Sequence, residues 1–158
     1  AFLFTESKES KLGEELTQAQ IKKLIKGTVP NITDQQIVFV ETLVDMGIDN
    51  PKAWGAFQKN DDNVGVIYIR TNEDGNAYKN VAKHEAFHMI YNERMTPDQR
   101  QRLRTAFEKT DGDVKNHNQL EFEEYAAIKY QEWKRGQYMP KNPIIQSFFE
   151  FLKDLYKR

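Results

Sequence analysis

His84-Glu85-Ala86-Phe87-His88 places two imidazoles one helical turn apart, with a carboxylate next to the first. Residues four apart lie on one face of an α-helix, so His84 and His88 are candidate metal ligands that can take two corners of one tetrahedral site. Glu85 is turned only partly away from that face, so its carboxylate can reach a metal-bound water without occupying a metal position. The chain has three histidines, and two of them are here. At background frequencies of roughly 2% for His and 6% for Glu, the pattern arises by chance in well under about one chain in a hundred of this length. A surface helix that carries the three residues without purpose is the plain alternative, and the flanks have to decide.

The helix around the motif is expected to run from about Ala77 to Asn92, with Val81, Ala82, Phe87, Met89 and Ile90 as its apolar positions. Such water-poor surroundings raise the worth of each metal–ligand contact. Upstream, Ala53 to Gln58 and Val64 to Arg70 read as two strands joined by the turn-rich Lys59-Asn60-Asp61-Asp62-Asn63, a hairpin signal. Thr71 to Asn76, with Asp74-Gly75, is the loop into the motif helix. Earlier still, Thr33-Asp34-Gln35-Gln36 is expected to open a helix with Ile37, Val40 and Val44 inward, ending near Gly47. Thr17 is a candidate N-cap for a helix over Gln18 to Lys26, closed by Gly27. Glu6 to Glu15 is polar and aperiodic, so residues 1–16 read as a loose N-terminal arm.

Downstream, Thr96-Pro97-Asp98-Gln99 is a helix start, with Thr as N-cap and Pro at the first helical position, and the helix stops near Asp111-Gly112. Leu120 to Arg135 reads as a long helix with three carboxylates, Glu121, Glu123 and Glu124, crowded into its beginning. Asn142-Pro143 opens a last helix whose Ile144, Ile145, Phe148, Phe149, Leu152, Leu155 and Tyr156 form a broad apolar face, expected to pack in the core.

A catalytic zinc needs a third protein ligand and one open position. Gly at 91 and His at 94 would extend the motif toward a three-histidine site, but the chain has Tyr91 and Arg94. His117 is a distant alternative, and a glutamate from a second helix is the better candidate. Asp111-Gly112-Asp113 hints at a calcium loop, but Lys115, Asn116 and Phe122 break the EF-hand pattern, so it reads as a turn.

Glu124-Tyr125-Ala126-Ala127 resembles the Glu-aromatic-x-Ala pattern on the second metal-binding helix of gluzincins, the zinc peptidases in which a downstream Glu completes the site begun by His-Glu-x-x-His. Gly55-Ala56-Phe57 and Val66-Ile67-Tyr68-Ile69 are similar to the strands before the active-site helix in minigluzincins and in the catalytic domain of anthrax lethal factor. The resemblance spans about Ala53 to Arg135. It implies an α+β zincin-like fold, with a small antiparallel sheet packed on the active-site helix and further helices behind. It also implies one catalytic Zn2+ on His84, His88 and Glu124, with Glu85 as general base. Ala126 and Ala127 would let a second helix approach closely on the side of Glu124, where Leu120 and Ile128 also point. Glu121 in a second register, and Glu123 behind it, stay open as rivals. Position 128 is Ile where the family often has an acid that orients a zinc ligand, which puts that support in doubt. For the oxyanion, the family usually supplies a Tyr or His. His117 is the candidate, with Tyr125, Tyr130 and Tyr138 as alternatives. Under the same resemblance, Val64 to Ile69 would be the sheet edge to which an extended substrate adds.

Length and composition set the outer bounds. A chain of 158 residues suits a single domain with a real core. Net charge is −1 with both signs interspersed, so neither nucleic acid nor a membrane is an expected partner; a protein or peptide substrate is, together with neighbouring domains of a larger precursor. The absence of cysteine removes disulfides, thiolate zinc ligands and thiol catalysis, and leaves the compartment open. No membrane span or signal peptide is legible, and without an initiator Met the chain reads as a processed or excised piece. The expected activity is zinc-dependent endopeptidase. The alternatives are a catalytically silent module of the same fold, against which the intact Glu85 argues, and a helical interaction domain with incidental histidines.

Overall fold

The computed structural model describes residues 2–4, 12–48 and 52–156, a mixed α+β chain that divides into two compact units, residues 1–93 and 94–158. The first unit holds the sheet and the motif helix. Its strands are β1 (Phe2–Phe4), β2 (Glu15–Leu16), β3 (Ile37–Val40), β4 (Gly55–Lys59), β5 (Gly65–Arg70) and β6 (Ala77–Tyr78), and its helices are α1 (Gln18–Thr28) and α2 (Lys79–Met89). Four strands form one sheet in the order β1-β4-β5-β3, and β2 pairs with β6 in a separate ladder.

The β4–β5 hairpin forms as its sequence dictates. Asn60 Oδ1 accepts from the amides of Asp62 and Val64, Asn63 takes the left-handed conformation at φ 62°, and the strands pair antiparallel from Gly55↔Ile69 to Lys59↔Gly65. Gly65 through Ile69 is buried without alternation, the mark of a strand covered on both faces. On one face, Ala56, Val66 and Tyr68 pack with Leu43, Ile48 and Ala53. The opposite face carries Gly55, Phe57, Ile67 and Ile69 in register, and Gly55 there touches Val81 and Glu85 of α2.

Four expectations are corrected in this unit. The helix expected from Thr33 to Gly47 is a short 3-10 turn (Asp34–Gln36), strand β3 and a second 3-10 turn (Val44–Met46). Ile37-Val38-Phe39-Val40 is a run of β-branched and aromatic residues, and pairing with β5 from Ile37↔Ile67 to Val40↔Arg70 outweighs the helical spacing of Ile37, Val40 and Val44. Because that pairing is parallel, the sheet is mixed rather than antiparallel. It also makes β5 an interior strand, so Val64 to Ile69 is not the sheet edge; the edges are β1 and β3. Finally, much of the stretch expected to be a loose arm is built into the unit. β1 pairs with β4, Leu12 is buried, and β2 pairs with β6, while residues 5–11 lie outside the described residues.

The second unit consists of α3 (Pro97–Thr110), a 3-10 turn (Gly112–Asn116), α4 (Gln119–Lys134) and α5 (Pro143–Tyr156). Thr96 caps α3 through a reciprocal box with Gln99, and Asn118 caps α4 through one with Glu121. Phe107 is the hub of the core. Its ring meets Phe122 at 5.9 Å, Tyr125 at 5.3 Å and Phe149 at 6.3 Å, and Tyr130 and Trp133 close on Phe149 from the other side. Ile145, Phe148, Phe149, Leu152 and Leu155 are buried, so the apolar face of the last helix packs in the core as expected, with Ile144 and Phe151 half outside it. Among the described residues, no helix is long and apolar enough to cross a membrane.

Candidate metal centre

Helix α2 begins directly after β6 and lies on the glycine-lined face of the sheet. It is buried almost throughout: among its inward residues, His84 is 5% exposed, and Glu85 and His88 are 0% exposed. The two imidazoles face one another, with Nε2 atoms 3.1 Å apart and ring planes inclined at 76°. Two nitrogens on one tetrahedral zinc at ordinary bond lengths stand about 3.4 Å apart. The pair is therefore close to the spacing that a shared ion demands.

Glu85 owes its position to a glycine. A Cβ built on Gly55 would stand 2.8 Å from Glu85 Oε2 and 2.6 Å from Val81 Cγ1, so any larger residue would push helix and strand apart. Gly55 is the residue that inspection of the motif misses. Its signal is present in the sequence, since a glycine inside a strand pattern often marks a close approach. A second such contact sits further along: the Gly65 amide donates to Glu93 Oε1 at 2.8 Å, and a Cβ there would collide with that carboxylate and with Phe57. After Met89 the helix widens into a π-turn over Ile90–Arg94, and the Asn92 side-chain amide donates to the His88 carbonyl at 2.8 Å. π-Turns recur beside functional positions because they re-aim the residues next to them.

Helix α4 supplies the acidic candidates, and their surroundings separate them. Glu121 is exposed and its carboxylate accepts from the Asn118 amide at 2.9 Å, closing the capping box. Glu123 is buried. Glu124 is half-buried, and among the described residues it is the carboxylate that groups with the histidines: one ligand atom each from His84, His88 and Glu124 lie within 4.8 Å of one another. These three residues could hold a metal ion. Two imidazoles and a carboxylate, with a fourth corner open, are the donor chemistry of a catalytic zinc, so the residues present fit the ion. Ala126 and Ala127 are buried, whereas Leu120 and Ile128 are exposed.

His117 is absent from the metal-holding group. It is half-buried at the end of the 3-10 turn, its ring lies 5.3 Å from that of Tyr125, and its carbonyl accepts from Arg104 Nη2. Its Nδ1 is buried and has no hydrogen-bond partner within the described structure. The Tyr125 hydroxyl, in contrast, donates to Asp111 Oδ2 at 3.1 Å. Burial, and then the Asp111 carboxylate, push the Tyr125 phenol well above the ordinary range. Burial likewise raises Tyr130 and Tyr138. Asp111 also accepts from the Asp113 amide, so Asp111-Gly112-Asp113 is the turn expected, and its first carboxylate serves Tyr125. No protein-family model matches the chain, and neither a curated protein nor a solved structure matches it significantly.

Proposed function

We propose that the chain is a zinc-dependent metalloendopeptidase of gluzincin type, with zinc held by His84, His88 and Glu124. The observation that carries this reading is the grouping of those three side chains beside a fully buried Glu85. Bound zinc would supply a water of near-neutral pKa and polarise the carbonyl that it attacks. Glu85 accepts the proton of the attacking water and delivers it to the leaving amine. Gly55 keeps this carboxylate against the sheet, and its burial raises the strength of every charge interaction it makes. His117, whose ring nitrogen is uncommitted where the Tyr125 hydroxyl is engaged, is the proposed donor to the oxyanion.

The test is metal content after dialysis against trace zinc, followed by hydrolysis of a mixed peptide library. About one zinc per wild-type chain is expected from a three-ligand site, with loss in His84→Ala and in Glu124→Ala. Glu85→Gln is expected to retain zinc and to lose about 10²–10⁴-fold in hydrolysis, the usual worth of a general base. A wild-type chain that holds no zinc, or a Glu85→Gln variant that cleaves at the wild-type rate, overturns the reading.

A further inference from the structure

The β4–β5 hairpin meets the helical run of the motif at two glycines, each facing a carboxylate. A Cβ on Gly55 would lie 2.8 Å from Glu85 Oε2, and one on Gly65 would lie 2.6 Å from Glu93 Oε1. Gly65 also binds Glu93 directly, its amide donating to Oε1 at 2.8 Å. The β3 ladder begins at Ile37↔Ile67, so this amide lies beyond it and the Glu93 carboxylate stands in for the next strand residue. Glu93 follows Glu85 by eight residues, a helical rise of about 12 Å. Along the hairpin, the four steps from Gly55 to Lys59, the partner of Gly65, span about 14 Å. Two contacts so spaced set the place of the helix along the hairpin, and His88 lies between them in the chain.

The π-turn aims Glu93. At 3.6 residues per turn, eight positions past Glu85 falls about 80° away around an α-helix. The wider turn over Ile90–Arg94 takes more residues per revolution and brings Glu93 back toward the face of Glu85. Directly before it in the chain, Asn92 donates from its side-chain amide to the His88 carbonyl at 2.8 Å. The contact on β5 is thus one residue from a bond to the backbone of a candidate ligand. We propose that Glu93 is a positioning residue for the metal centre: held by Gly65 and linked through Asn92, it fixes the end of the motif helix and the aim of the His88 imidazole. Groups that orient a ligand without touching the metal commonly govern its affinity by about 10–100-fold. The effect on zinc rests on the peptidase reading; the anchoring of His88 does not.

Three variants of the full chain separate geometry from charge. Glu93→Ala removes the acceptor, Glu93→Gln keeps an oxygen at the same reach without the charge, and Glu93→Asp keeps the charge but draws the carboxylate back by one methylene. Each is compared with wild type, first metal-free, by exchange of the Gly65 amide and by the His88 ring resonances in NMR. Zinc affinity is then measured by competition with a chelator, and the visible spectrum is recorded with Co2+ in place of zinc. The His88 resonances and the cobalt spectrum report ligand geometry, which a merely structural role for Glu93 leaves unmoved.

Glu93→Ala and Glu93→Asp are expected to speed exchange of the Gly65 amide by at least about tenfold. Both should also shift the His88 resonances, weaken zinc binding by about tenfold and alter the cobalt spectrum. Glu93→Gln should stay within about twofold of wild type in exchange and zinc affinity, because it retains the acceptor. Unchanged His88 resonances and zinc affinity in Glu93→Ala overturn the proposal, as does a Glu93→Gln variant impaired as much as Glu93→Ala. Should Glu93→Ala not fold, the contrast between Glu93→Asp and Glu93→Gln decides alone. A wild-type chain that holds no zinc, with the metal-free contrast intact, leaves the anchoring of His88 standing and removes the peptidase reading. Wild-type zinc binding that ignores Glu93→Ala does the reverse.

Discussion

Helices α2 and α4 both carry candidate ligands, yet they hold them in opposite ways. On α2, His84, Glu85 and His88 are all nearly inaccessible, and the sheet leaves out a side chain at Gly55 where Glu85 lies against it. On α4, the acidic first turns are divided: Glu121 serves the helix end, Glu123 is buried, and Glu124 is half-buried. Burying ionisable groups costs free energy that a purely structural helix avoids by using apolar residues. The density of such groups on α2 is compatible with a metal-holding group. The acid-rich start of α4 is largely what any helix N-terminus favours, and a single member of it groups with the histidines.

Zinc titration probes this contrast with the largest expected effect. At a free zinc concentration of a hundred times Kd, the wild-type chain should gain about 2.7 kcal/mol of stability, read as a rise in thermal midpoint. His88→Ala should gain nothing. Glu124→Ala should weaken zinc binding by at least about 100-fold, beyond the effect usual for outer partners of a ligand, while Glu121→Ala leaves it unchanged. Equal losses in the two glutamate variants would erase the distinction drawn on α4. The increment should also shrink as pH falls, because ligand histidines must be neutral and protons then compete with the ion.

Gly55→Ala sharpens the α2 side of the comparison. The new methyl would collide with Val81 and Glu85, and a destabilisation of about 1–3 kcal/mol is expected in urea unfolding. Gly112→Ala is the matched control, since nothing lies within 4 Å of a Cβ there, and it should stay within about 0.5 kcal/mol of wild type. The smallest effect belongs to α4. Asn118→Ala removes the side chain that accepts from the Glu121 amide and should cost about 1 kcal/mol, with zinc affinity unaltered.

Much of the architecture was legible locally. The Thr17 and Thr96 caps, Pro97, the 59–63 turn and the start of the last helix at Pro143 appear where their residues predict, because each is decided by bonds within a few positions. Residues 37–40 were not legible. Their spacing fits a helix, and only pairing with β5, some thirty positions away, makes them a strand. The same holds for residues 2–4, whose apolar run has no meaning until β4 is beside it.

For the site, the sequence by itself determined the pair His84 and His88 and the carboxylate between them, because four residues on a helix span one turn wherever the helix is placed. It also offered a short acidic run, with His117 as a distant alternative, as candidates for a third ligand. The burial of Glu85 against Gly55 and the interior position of β5 were decided only by tertiary structure, which also groups Glu124 of that run with the histidines. Each depends on which surfaces distant segments present to one another, and the local periodicity of a chain does not encode that choice.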